Sequence, residues 1–84
     1  MTMVFKCIVI DDEWHGISLL TEYIEKHPKL EVTNTFFDAE EAIDSLATEG
    51  SVDIIFSDIG MPNLDGLSAA KYYRPFCRFL IFLL

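Results

Sequence analysis

Two short apolar runs in this chain stop abruptly on carboxylates. Cys7-Ile8-Val9-Ile10 runs into Asp11-Asp12-Glu13, and Val52-Asp53-Ile54-Ile55-Phe56-Ser57 runs into Asp58. If both runs are buried parallel strands ending side by side, Asp11, Asp12 and Asp58 share one pocket. Bare carboxylates crowded in this way repel: at 4 Å and an effective dielectric of 20, each pair costs about 4 kcal/mol. A cation in the pocket relieves that repulsion. The pattern therefore points to a divalent-metal site with one carboxylate left for chemistry.

The rest of the chain supplies elements that can place those strand ends. Met3 to Ile10 is apolar and β-branched without strict alternation, as in a strand covered on both faces. Glu13 to His27 has Ile17, Leu20 and Ile24 on one helical stripe, with Leu19 and Tyr23 beside it, and Pro28 ends it. Leu30 to Phe37 holds a more polar strand suited to a sheet edge. Asp38 with Glu41 reads as a capping box for a helix that turns Ala39, Ala42, Ile43 and Leu46 inward and stops near Gly50. Val52 to Ser57 reads as the most strongly buried strand. Gly60 to Gly66 is a loop punctuated by Pro62, Asn63 and Gly66, with Asp65 a loop or cap residue. Leu67 to Tyr73 is a short helix ended by Pro75, and Arg78 to Leu84 is a fourth strand.

Strands alternating with helices imply right-handed crossovers, a parallel sheet and helices on both faces, a three-layer α/β arrangement. In the flavodoxin-like strand order 2-1-3-4, the topological switch point falls between the first and third strands. Ligands bind beyond the carboxyl ends of the strands at that point. Those are the two strands that end on Asp11-Asp12 and on Asp58.

Composition narrows the function. The 84 residues suffice for one small domain, and a net charge of −8 argues against a nucleic-acid face or an anionic membrane surface. The six basic residues are scattered rather than clustered. Cys7 and Cys77 lack the spacing of a zinc or redox pair, and reduced core thiols in a cytoplasmic protein are expected. The N-terminus shows a lone Lys6 and no cleavage site, so no signal peptide is expected. The longest apolar run, Phe79 to Leu84, is far short of the roughly 20 residues that span a bilayer. His15 and His27 suit exposed helix positions, Trp14 the rim of the acidic pocket, and Glu40, Glu41 and Asp44 a solvated helix face.

The stretches IVIDDE (Ile8 to Glu13) and DIIFSDIGMPNLDG (Asp53 to Gly66) resemble the receiver (CheY-like) domain of bacterial two-component response regulators. The wording of the motifs is similar to regulators that carry a LytTR-type DNA-binding domain downstream. The resemblance implies that residues 1–84 are the N-terminal two-thirds of a receiver, lacking the fifth strand and last helices. It implies Asp58 as the phosphoacceptor, with a sensor histidine kinase as the donor. Asp12 would hold Mg²⁺ directly, Asp11 largely through water, and the Gly60 backbone carbonyl would be a further ligand. Pro62 and Gly66 would shape the loop so that this carbonyl points inward. An acyl phosphate on a carboxylate is labile, which suits an erasable signal rather than an enzyme with a turned-over substrate. A dehalogenase-like phosphatase would need a second Asp two residues after Asp58, where Gly60 stands.

The chain also departs from the receiver pattern. Receivers use a Ser or Thr at the end of the fourth strand and a Lys at the end of the fifth; here the fourth ends in Leu83-Leu84. Lys71 lies on the third helix, and strand alternation turns Ser57 away from Asp58, so neither substitutes. The alternative expectation is thus a truncated, switch-incompetent receiver that acts only as a protein-interaction module. The absence of a last helix leaves one sheet face bare beside the first helix. The run Phe79 to Leu84 becomes an apolar edge without a gatekeeper, which predicts a homo-oligomer through the fourth strand.

Overall fold

The computed structural model describes residues 3–60 and 66–83. Within them the chain forms β1 (Phe5–Ile10), α1 (Trp14–Glu25), β2 (Leu30–Phe36), α2 (Ala39–Glu49), β3 (Ile54–Asp58), α3 (Gly66–Tyr73), a 3₁₀ turn (Arg74–Phe76) and β4 (Phe79–Leu83). The four strands are parallel, as the alternating pattern predicts, and lie in the expected flavodoxin-like order β2-β1-β3-β4. Among the described residues there is no fifth strand and no helix after β4.

Alternation along β1 decides the two faces. Ile8 and Ile10 join Ile55, Ala39, Ala42, Leu46, Ala69 and Tyr73 in the core beneath α2 and α3. Cys7 and Val9 join Ile17 and Ile24 of α1, with Ile54 and Phe56 packed against them. All four of these β1 residues are essentially buried, which is why the run shows no polar alternation. β2, with Glu31, Asn34 and Thr33 exposed, is the polar edge. At the other edge, β4 turns Leu80 into the α2/α3 core. Phe79 and Ile81, in register with Ile54 and Phe56 on the α1 side, remain 57% and 39% exposed.

Each helix starts and stops for a local reason. Asp38 caps α2, but its side chain accepts from the Glu40 amide at 3.4 Å, one position earlier than the expected capping box with Glu41. Gly50 closes that helix at φ +103°, donating its amide to the Leu46 carbonyl at 3.1 Å. β3 begins at Ile54 rather than Val52 because Asp53 is engaged as a tie. Its carboxylate accepts from the Lys6 amide at 2.8 Å, its amide donates to the Lys6 carbonyl at 2.9 Å, and its carbonyl accepts from Arg78 and Phe79 at 3.0 Å. One residue thus aligns the starts of β1, β3 and β4. α3 begins at Gly66, a residue earlier than the expected start at Leu67, and Pro75 sits in the 3₁₀ turn that follows the helix. Pro62, Asn63 and Asp65 lie outside the described residues. No helix among the described residues is long and apolar enough to cross a membrane.

Candidate metal and phosphoacceptor site

The register of the central strands builds the site. Ile10 pairs with Ser57, so the next residues, Asp11 and Asp58, emerge side by side at the carboxyl ends of β1 and β3. The Asp11 amide is held by the Phe36 carbonyl of β2 at 3.0 Å. Ile59, just after Asp58, donates to the Leu83 carbonyl of β4 at 3.2 Å. Neighbouring strands on both sides therefore fix the backbone beneath the carboxylates. Asp12 follows on the turn into α1. One carboxylate oxygen from each of Asp11, Asp12 and Asp58 lies within 4.8 Å of the others, with Asp12 exposed and the other two half-buried. The three residues singled out from the strand-end pattern are thus brought together.

Their hydrogen bonds show how the cluster is tolerated. Asp11 Oδ1 accepts from the Glu13 amide at 2.9 Å, and Asp58 Oδ1 accepts from the Gly60 amide at 3.3 Å. Burial raises the Asp11 carboxyl above its usual range. The Glu13 amide partly opposes this, and the negative charges of Asp58, Asp12 and Glu13 add to the rise. A group under that pressure gains from a neighbouring cation. The donor set fits Mg²⁺: all ligand atoms are carboxylate oxygens, and exposed Asp12 leaves room for the waters that Mg²⁺ retains. Gly60 is exposed and contributes its amide to Asp58.

Leu83 is the β4 residue in register with Asp58. Lys71 is exposed on α3, its Nζ 5.1 Å from the centroid of the Tyr72 ring. Ser57 is fully buried on the opposite face of β3 and donates to the Asp58 carbonyl at 3.2 Å, so it does not serve the carboxylate. Beneath it, Tyr73 is also fully buried, and its hydroxyl faces Ser57 without a hydrogen bond of ordinary geometry. Trp14 is 65% exposed at the rim, its ring edge-on to His15 with centroids 6.0 Å apart.

Sequence reasoning missed Gly16. A Cβ built there would overlap Asp11 Oδ2 and stand 2.9 Å from Asp11 Cγ. The available signal was a glycine inside the first turn of a helix, where it is an unfavourable choice unless something needs the space.

Comparisons with known proteins agree with this geometry. The family model described as response regulator receiver domain matches residues 7–76. The chain is similar to a protein-glutamate methylesterase/protein-glutamine glutaminase of Saccharophagus degradans, 41% identical over 69 residues. That match covers 82% of this chain and 19% of the relative. Among solved structures, it superposes on the response regulatory domain of mrkE from Klebsiella pneumoniae with a TM-score of 0.80 at 32% identity. Here 92% of this chain and 64% of that one are covered. A CheX-CheY-BeF3-Mg²⁺ complex from Borrelia burgdorferi matches with a TM-score of 0.80 at 25% identity, covering 98% of this chain and 64% of that one. The chain thus spans about a fifth of the length of the curated relative.

Proposed function

We propose, from the premise that this chain belongs to the response regulator receiver family, that residues 1–84 form a receiver segment with an assembled acceptor site that works through protein contact and does not carry out the switch by itself. The observation that carries this is the convergence of Asp11, Asp12 and Asp58 within 4.8 Å, while among the described residues the β4 residue in register with Asp58 is Leu83, which has only an alkyl side chain.

In this reading Asp11 and Asp12 hold a divalent cation, with Asp58 and the Gly60 carbonyl as further ligands, and Pro62 and Gly66 shape the loop that follows. A bound Mg²⁺ would offset the acidic charge of Asp11, Asp12 and Asp58 and so favour the approach of an anionic phosphoryl group. Asp58 is the phosphoacceptor. Its carboxylate oxygen attacks phosphorus as the phosphorus–nitrogen bond breaks in a phosphohistidine donor whose other ring nitrogen carries a proton, leaving an acyl phosphate on Asp58 and, with that proton retained, a neutral imidazole on the kinase. The Gly60 amide, which accompanies Asp58 Oδ1, steadies the carboxylate for that attack. The similarity to a receiver solved with Mg²⁺ and beryllofluoride supports the cation and the acceptor. A sensor histidine kinase is the proposed partner. A DNA-binding output domain belongs to the proposal only for a longer parent protein.

The test is a Mg²⁺ titration followed by Trp14 fluorescence, with and without beryllofluoride, since Trp14 stands two residues from Asp12. We expect saturable binding that Asp12→Ala weakens about tenfold or more. We also expect no change in amide exchange along β4 when beryllofluoride is added. A flat titration of folded protein would remove the acceptor site from this reading. Beryllofluoride-dependent protection along β4 would instead restore a switching receiver.

A further inference from the structure

The face of the sheet beneath α2 carries a groove that the acceptor site does not use, and an irregularity in β2 builds one of its walls. Cys7 pairs with Val32, but Ile8 pairs with Asn34, so Thr33 is an extra residue; its hydroxyl donates to the Cys7 carbonyl at 3.3 Å. A bulge of this kind re-aims the side chains that follow it. Val32 packs on the α1 side and Phe36 on the α2 side, although strict alternation would put both on one face. Asn34, paired with Ile8, is thereby brought to the α2 side with Phe36.

The groove encloses about 230 Å³ between β1, β2 and the C-terminal end of α2. Ile8, Phe36, Leu46 and Val52 give it an apolar floor. Its two walls are of opposite polarity. Lys6 and Asn34 stand on the strand side. Asn34 Oδ1 accepts from the Thr35 amide at 3.0 Å, which leaves the NH₂ group of that side chain to donate. Glu49 stands on the helix side, in a last turn that holds no basic residue. The last carbonyls of a helix are its negative end, so a carboxylate there is disfavoured until a cation joins it. The Ser45 hydroxyl donates to Glu49 Oε2 at 2.8 Å and restrains the carboxylate at the groove. Lys6 and Glu49 line the same cavity, yet neither forms an ion pair among the described residues.

A ligand complementary to these walls has an anion for Lys6 and Asn34, a cation for Glu49, and a short apolar part for the floor. The volume is below the roughly 300–1,000 Å³ of sites for drug-sized ligands, which restricts the ligand to a small molecule. An α-amino acid with an aliphatic side chain carries all three groups on one carbon. We propose that this groove binds such a free amino acid, its carboxylate on Lys6 and Asn34 and its ammonium on Glu49 and the C-terminal carbonyls of α2. The site is separate from Asp11, Asp12 and Asp58 and does not rest on the acceptor-site reading.

The test titrates L-leucine into the ¹⁵N-labelled chain and follows its amide shifts. We expect saturable shifts at Lys6, Asn34, Glu49 and Gly50, with Asp12 and Asp58 unmoved. Lys6→Gln and Glu49→Gln should each weaken binding about tenfold or more, as the loss of a charged hydrogen-bond partner does. Both side chains are exposed, so neither substitution opens the core. Glu22→Gln, the same charge change on the exposed face of α1, should alter the dissociation constant less than about twofold. Two analogues make the same test without any substitution. Leucinamide lacks the carboxylate and N-acetylleucine lacks the ammonium, and each should bind wild type about tenfold or more weakly than leucine does. Leucinamide should bind wild type and Lys6→Gln alike, and N-acetylleucine should bind wild type and Glu49→Gln alike, because each lacks the group that the altered side chain holds. If leucine shifts no amide of the folded protein, the groove is not an amino-acid site. Equal affinity for leucine and both analogues would assign the groove to apolar contact alone and overturn the proposal, as would binding that neither substitution weakens.

Discussion

At the scale of single residues, most carboxylates of the site find a donor, whereas among the described residues two buried hydroxyls, those of Thr21 and Tyr73, do not. Tyr73 is fully enclosed beneath β3, and its hydroxyl faces Ser57 without completing a hydrogen bond. Leaving a buried polar group unpaired costs about 1–3 kcal/mol. Tyr73→Phe should therefore stabilise the fold, or at least not weaken it, in thermal melts near neutral pH. The pH dependence follows from the same burial, which raises the Tyr73 phenol above its ordinary value; the nearby Ser57 opposes the rise and the Asp38 charge adds to it. Unfolded tyrosine loses its proton near pH 10, while folded Tyr73 still holds its own. The unfolded state then binds fewer protons, so stability falls as pH rises above about 10 and levels off beyond the folded value. Melting the two proteins between pH 8 and 11 should show the alkaline loss shrinking in Tyr73→Phe. An identical loss in both would place its origin elsewhere.

At the scale of elements, the structure explains which features the sequence made legible. The strand ends were readable because buried parallel strands are continuous apolar runs, and a run that stops on Asp11-Asp12 or Asp58 marks its own boundary. The parallel sheet followed from the alternation of strands and helices, and the order 2-1-3-4 is the one expected of a flavodoxin-like fold. Asp53 was not readable as a tie, because its backbone and side-chain bonds reach Lys6, Arg78 and Phe79, which only the assembled sheet brings near. Gly16 was hidden for a similar reason: a space is visible only once its occupant is placed. The shift of the α2 cap from Glu41 to Glu40 depends on the local rotamer of Asp38, which composition does not specify. Gly50 was legible as a helix stop, and its geometry makes a sharper prediction. At φ +103° and ψ −177° it occupies a region essentially reserved for glycine, although no atom lies within 4 Å of where a β-carbon would stand. Gly50→Ala should cost about 1–3 kcal/mol through backbone strain alone. In a domain of this size that corresponds to a loss of at least about 4 °C in melting temperature. An unchanged melt would mean that the α2–β3 turn relaxes freely.

At the scale of the whole molecule, the sheet has two unlike edges. β2 ends the sheet with polar residues, whereas β4 carries no charge and leaves Phe79 and Ile81 exposed over the α1 side. A long apolar edge invites strand addition. We expect these 84 residues to self-associate through β4 and Ile81→Lys to oppose it. Sedimentation velocity at tens of micromolar distinguishes the two, and a monodisperse wild-type monomer would count against the expectation.

The parallel sheet also makes the two ends of the molecule electrically different. Strands begin, and helices finish, at the end where Lys6, Lys26, Lys29, Arg74 and Arg78 are nearly balanced by Glu25, Glu31, Glu49 and Asp53. The opposite end gathers Asp11, Asp12, Glu13, Asp38, Glu40, Glu41 and Asp58. The net charge of −8 is therefore distributed as a polarity along the strands. Two copies joined edge to edge with their strands running the same way would set both acidic poles together. Copies related by a two-fold axis across β4 would place those poles at opposite ends of one continuous sheet, each beside the nearly balanced strand-start end of the other. The direction in which the strands run thus selects the symmetry of any pair.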